Sequence, residues 1–115
     1  MPAEGKEVSL PGLAYGYPWK AEFTSMRWNV AKKESDRIRI LWTVSGASGR
    51  SRPQRARFEI DILDASGEKV GTALKTMILR PSTKEQKFKI KMKVPLQKWA
   101  RVEKLRIQVN FFVGS

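Results

Sequence analysis

Apolar and polar residues alternate along most of this chain. The clearest run is Gln86 to Val94, where Phe88, Ile90, Met92 and Val94 take one parity and Lys87, Lys89, Lys91 and Lys93 the other. Successive side chains of a β-strand point to opposite faces, so this run predicts a strand with one face in a core and one in water. Burying each apolar side chain contributes roughly 1.5–3 kcal/mol, set against the entropy of ordering it.

The other runs repeat the pattern. Over residues 20–31, Met26, Trp28 and Val30 oppose Arg27 and Asn29; Phe23 has the wrong parity, which predicts a bulge near Thr24-Ser25. Over 37–44, Ile38, Ile40, Trp42 and Val44 point inward and Arg37, Arg39, Leu41 and Thr43 outward. The polar link Lys32 to Asp36 makes these two an antiparallel hairpin. Residues 45–53 read as a flexible loop. Over 54–64, Ala56, Phe58, Ile60 and Ile62 alternate with Arg57, Glu59, Asp61 and Leu63. Asp64 to Lys69 is a turn in which Gly67 is free to take a positive φ. Val70 to Leu79 is a strand compatible with a break at Lys75-Thr76, and Arg80 to Glu85, with Pro81, a loop. Pro95 at a first helical position, with Leu96, Trp99 and Ala100 behind it, predicts one or two helical turns within 95–104. Leu105, Ile107, Val109, Phe111 and Val113 make the last strand, with Arg106, Gln108, Asn110 and Phe112 outward.

Residues 1–19 differ. Pro11-Gly12 and Tyr17-Pro18 punctuate them, and only Glu7 to Leu10 suits a short edge strand. The division expected is an N-terminal Pro/Gly/aromatic arm at 1–19 and one sandwich domain at 20–115. Short period-two strands joined by polar turns predict an all-β fold, an antiparallel immunoglobulin-like β-sandwich of about seven strands. Trp42 is the candidate for the centre of its core.

The run from Phe58 to Gly71, Phe-Glu-Ile-Asp-Ile-Leu-Asp-Ala-Ser-Gly-Glu-Lys-Val-Gly, resembles the strand–turn–strand of FxLYD-type and related small immunoglobulin-like domains. Those carry an apolar strand, an Asp and a Gly at the turn, then Val-Gly; here Leu63-Asp64 stands without the Tyr. The resemblance implies a binding or accessory module without catalytic residues, and it transfers no site.

Charge narrows the partners. The chain has 115 residues, 23 Lys+Arg against 11 Asp+Glu, and a net charge of +12. Residues 1–57 hold 11 basic and 5 acidic residues, residues 58–115 hold 12 and 6, so the whole body is basic. Such a body suits an acidic protein surface, nucleic acid or an anionic membrane. There is no Cys and no His, which removes disulfides, thiolate nucleophiles and the commonest metal ligand and proton shuttle. No apolar run approaches the length of a membrane span, and Met1 to Leu10 lacks the features of a signal peptide. A cytoplasmic protein is expected.

No catalytic, cofactor or metal site is expected. Glu59 and Asp61 share a strand face, but Arg55 and Arg57 share it too, and ion pairing absorbs them. Asp61, Asp64 and Glu68 are too few for calcium in such basic surroundings. The candidate site is a binding face. Arg37, Arg39, Arg50, Arg52, Arg55, Arg57, Lys87, Lys89, Lys91, Lys93 and Arg106 are its expected anion-binding residues. Lysines on an outward strand face also guard an edge against aggregation, and this second reading stands beside the first. Tyr15, Tyr17 and Trp19 either cover an open end of the core or form an arm that docks on a partner. Only Phe112, Phe23 and Tyr15 are candidates to stack on bases, and no RNA-binding signature is present. The sequence therefore points to a non-enzymatic accessory or structural subunit that docks on an anionic surface, with no small-molecule substrate.

Overall fold

A computed structural model describes residues 1–10, 14–15, 21–48 and 53–112, with backbone alone at 14, 15, 48, 82 and 83. In chain order the elements are β1 (Val8–Ser9), β2 (Ala14–Tyr15), β3 (Ala21–Lys33), β4 (Arg37–Ser48), β5 (Gln54–Leu63), β6 (Lys69–Leu79), β7 (Ser82–Pro95), α1 (Leu96–Trp99) and β8 (Lys104–Phe111). They form two antiparallel sheets. Sheet A runs β1-β3-β4-β7, with β2 also on β3, and sheet B runs β6-β5-β8. The all-β sandwich expected from the alternation is the observed fold. β3, β4 and β7 take the places of the first, second and fifth strands of an immunoglobulin-like sandwich, and β5 and β8 those of the third and sixth. β6 pairs with β5 rather than with β7.

The β3–β4 hairpin shows how the sequence resolves a conflict of parity. Phe23 pairs with Gly46 and Ser25 with Ser45, leaving Thr24 as the extra residue of a bulge. The bulge turns both Phe23 and Met26 inward, each 1% exposed. Phe23 then meets Phe58 edge-on at 4.9 Å and stacks on Phe111 at 5.9 Å, tying the sheets together. It is therefore a core residue and not a stacking surface. Gly46 makes room: a Cβ there would stand 2.9 Å from the Phe23 ring and from the Glu22 carbonyl. A second register shift, between Val30 and Lys32, has no counterpart in the sequence reading.

Trp42 is fully buried, with Trp28 beside it at 6.3 Å and Trp99 against Trp28 at 5.5 Å. Ile90, the cross-strand partner of Trp42, and Ile60 of sheet B are buried as well. The Trp28 indole N–H donates to the Pro2 carbonyl at 2.8 Å, whereas the Trp42 indole N–H has no partner among the described residues. Residues 1–10 run along the edge of β3. Gly5 N–H donates to Trp28 O and Leu10 N–H to Thr24 O, both at 2.8 Å, and Leu10 enters the core.

Several details differ from the sequence reading, beginning with β3, which runs on through Lys33 into the expected turn. β4 continues to Ser48 and β7 starts at Ser82, because those two ends pair with each other across a register shift; the expected loops 45–53 and 80–85 are correspondingly shorter. β6 is unbroken at Lys75-Thr76, held by continuous pairing to β5. Pro95 is the residue before α1, not its first residue, and α1 is a single turn. The Asp64 turn forms as expected: Asp64 Oδ1 accepts from Ser66 N, Ser66 Oγ and Glu68 N at 2.7–3.0 Å, and Gly67 has φ +90°.

Candidate anion-binding face

The register between β4 and β7 builds the face. Arg37 lies opposite Pro95, Arg39 opposite Lys93, Leu41 opposite Lys91, Thr43 opposite Lys89 and Ser45 opposite Lys87. These residues share the outer side of sheet A, since their neighbours Ile38, Ile40, Trp42, Val44, Ile90, Met92 and Val94 fill the core. β3 extends the surface with Arg27 opposite Thr43 and Asn29 opposite Leu41. The central strand is mostly neutral at this level. The lysines of β7 and Arg27 of β3 therefore stand about 10 Å apart across it, two strand spacings.

Two carboxylates work at one end of the face, Asp36 at 3.4 Å from Arg37 and, chiefly, Glu34. Glu34 takes Arg37 at 3.0 Å, Arg39 at 3.2 Å and Lys32 at 3.8 Å. This collection relieves Arg39 and Lys93, which would otherwise repel across the pair. At the other end Glu7 accepts from the Ser25 hydroxyl at 2.7 Å and, with Thr43, Ser45, Arg27 and Lys87, lines a small polar recess. Lys87, Lys89, Lys91 and Lys93 form no ion pair among the described residues and all are exposed. Alternate lysines on one strand are about 7 Å apart at Cβ, where two unit charges repel by about 0.6 kcal/mol in water. An anion laid along β7 removes that repulsion. Above β4 and β7 lies a shallow groove of about 520 Å³, floored by Leu41 and Ala31 and rimmed by Lys32, Arg39, Lys91 and Lys93.

The other expected anion-binding residues lie elsewhere. Arg55 and Arg57 sit on the outer side of sheet B, opposite Ile78 and Thr76 of β6, and so face away from the lysines. Arg106 is on the same side, and its guanidinium is held by Asp61 at 3.1 Å. Arg50, Arg52, Tyr17 and Trp19 lie outside the described residues. Tyr15 belongs to β2 and pairs with Ala21; only its backbone is described. Arg27 and Lys32 were absent from the expected set. Arg27 was legible from its outward parity in the hairpin partner of Arg37–Val44, whereas Lys32 reaches this side only through the second bulge.

Asp61 departs from the pairing expected with Arg55 and Arg57. It is fully buried, although it lies on the outward parity of β5. The Thr72 hydroxyl donates to it at 2.6 Å, Arg106 covers it, and Lys69 stands 3.7 Å away. Burial alone would raise its pKa. The hydrogen bonds from Thr72 and Arg106, with the charge of Lys69, outweigh that and hold the carboxyl below its ordinary 3.8. The Ser66 hydroxyl chiefly, with the Glu68 and Ser66 N–H groups, likewise lowers the Asp64 carboxyl against the opposing effect of desolvation. Both carboxylates are thus engaged in structure. No group of three or more Asp or Glu stands together as a metal site among the described residues. No helix there is long and apolar enough to cross a membrane.

No protein-family model matches the chain, and no curated protein matches it.

Proposed function

We propose that this chain is a non-catalytic binding module, an accessory or structural subunit that docks the outer face of sheet A on an anionic surface within a larger assembly. The observation that carries this is the β4–β7 register: it sets four lysines without counter-ions beside Arg39, on a flat face with a small apolar floor. A surface left this positive is costly alone and favourable against carboxylates or phosphates. The resemblance of Phe58 to Gly71 to FxLYD-type domains supports a module without chemistry. The fold needs no disulfide, which suits the reducing conditions of a cytoplasmic setting.

An acidic protein surface is favoured over nucleic acid because, among the described residues, no aromatic side chain shares the lysine face to stack on bases. Duplex backbone and anionic lipid remain outcomes of the test. The full chain would be used to pull partners from native cells, with and without nuclease, and the captured affinity followed against salt. Nuclease-resistant capture that weakens with salt and is lost when all four lysines become Gln supports the reading. Capture abolished by nuclease moves it to phosphate-backbone binding, and capture indifferent to salt and to the lysines ends it.

A further inference from the structure

Among the described residues the sheet edges are covered unequally. On sheet A the β3 edge is covered by β1, β2 and residues 5–10, and β7 lies beside β6, where Lys75 Nζ donates to the Lys89 carbonyl at 2.8 Å. β6 and β7 thus pack beside each other at the margin of the sandwich without forming a ladder. β8 pairs with β5 on one side and with no described strand on the other. It carries no register shift and no proline, the usual devices that blunt an edge.

Hydrogen-bond parity shows which groups are open. Phe112 N–H donates to Arg55 O at 3.0 Å, so the residues of its parity, 110, 108 and 106, direct N–H and C=O toward β5. Leu105, Ile107 and Val109 therefore direct theirs to the open edge. Their side chains face the core but are only half-buried, whereas the residues they pair with or flank on β5, Phe58, Ile60 and Ile62, are fully buried. The same row of β8 thus has open backbone groups and incompletely covered apolar side chains.

We propose that this edge is completed by the β8 of a second copy of the chain, paired antiparallel about a twofold axis at Ile107. That register joins the open N–H and C=O groups of Ile107 to their own mates and those of Leu105 to Val109. On the outer face it sets Arg106 against Gln108 and Lys104 against Asn110, so no two like charges stand directly opposite. Arg106 is neutralised within its own chain by Asp61, which leaves Lys104 as the charge this edge contributes from its outer row. The β7 edge, with its lysines, could not pair with itself without setting cations together. The result is a continuous six-stranded sheet β6-β5-β8-β8-β5-β6 across two copies.

Two bodies of charge +12 repel, so salt strengthens this contact, the opposite of its effect on anion docking. The test is sedimentation of the full chain between about 0.1 M and 1 M salt, where the screening length falls from about 10 Å to 3 Å. A concentration-dependent dimer that gains with salt is expected. Amide exchange at Leu105, Ile107 and Val109 is expected to slow in step with dimer fraction. Ile107→Pro removes an N–H that no described strand of the same chain uses, and should abolish the dimer; Ile107→Lys should weaken it at least about tenfold by setting like charges at the axis. A chain monomeric at every salt and concentration overturns the proposal. So does a dimer in which those amides stay unprotected, a result independent of how either variant folds. The variant with all four β7 lysines changed to Gln should dimerise at least as well as the parent, so this contact and the anion-docking reading fail separately.

Discussion

β7 and β8 are both period-two strands at the margins of their sheets, with an apolar inner row and a polar outer row. Their environments diverge. In β7, Ile90, Met92 and Val94 are buried to 2% exposure or less, while every inner residue of β8 stays half-buried. The outer row of β7 is four lysines without counter-ions, and that of β8 begins with Lys104 and an arginine already held by Asp61, then turns neutral. Alternation fixes which way a side chain points. How much it buries depends on what lies beside the strand: β6 of the other sheet packs against β7 without pairing, and no described strand lies on the open side of β8. The strand packed beside β6 carries a repelling outer face, which itself disfavours pairing with a like edge. The strand with an open edge carries little charge of its own, which suits it to a protein neighbour.

The largest effects should come from the shared core that both strands lean on. Trp42→Ala should cost about 3–5 kcal/mol and Ile90→Ala about 2–5 kcal/mol in denaturant unfolding. Ile107→Ala, measured on the dilute monomer, should cost clearly less than Ile90→Ala; equal costs would remove the contrast between the strands.

Asp61 comes next, because it ties β8 to β5 and β6. Replacing it with Ala leaves Arg106 and Lys69 without their carboxylate and should cost about 2–3 kcal/mol. Its folded pKa lies below its unfolded value, so its contribution is complete above pH 3.8 and disappears as pH falls through the lowered folded value. Acid unfolding of Asp61→Asn should accordingly lose part of its dependence on pH below 3.8 while keeping its profile above it. An unchanged acid profile would show that the buried carboxylate is not the acid-sensitive link.

On β7 the expected effects are on binding. Changing all four lysines to Gln should remove up to about four units of the salt slope if the partner is a duplex, at about 0.9 per phosphate contact, and fewer for a protein. The smallest effect is on the fold: Lys89→Ala or Lys91→Ala should change stability by no more than about 0.5 kcal/mol. A large loss there would mean the lysine stems pack on the sheet and the strand's faces differ less than their exposures indicate.

By itself the sequence determined the strands, their inward rows and the hairpin turns. Period two decides the face, Asp64 and Gly67 supply the turn, and the parity of Phe23 against Met26 demands the bulge at Thr24. Apolar burial dominates those choices locally, so they are legible without a partner. The tertiary structure alone decided which strands lie side by side. Parity is the same in either sheet, so nothing in the residues showed that Arg55 and Arg57 face away from Lys87–Lys93, or that Arg39 stands opposite Lys93. Nor could it show that Asp61, outward by count, is sealed by Thr72 and Arg106, residues 11 and 45 positions away along the chain. Strand ends behaved likewise: Ser48 and Ser82 are β because each provides the other's ladder. A hydrogen bond between strands needs both of them in place, and only the folded chain sets that register.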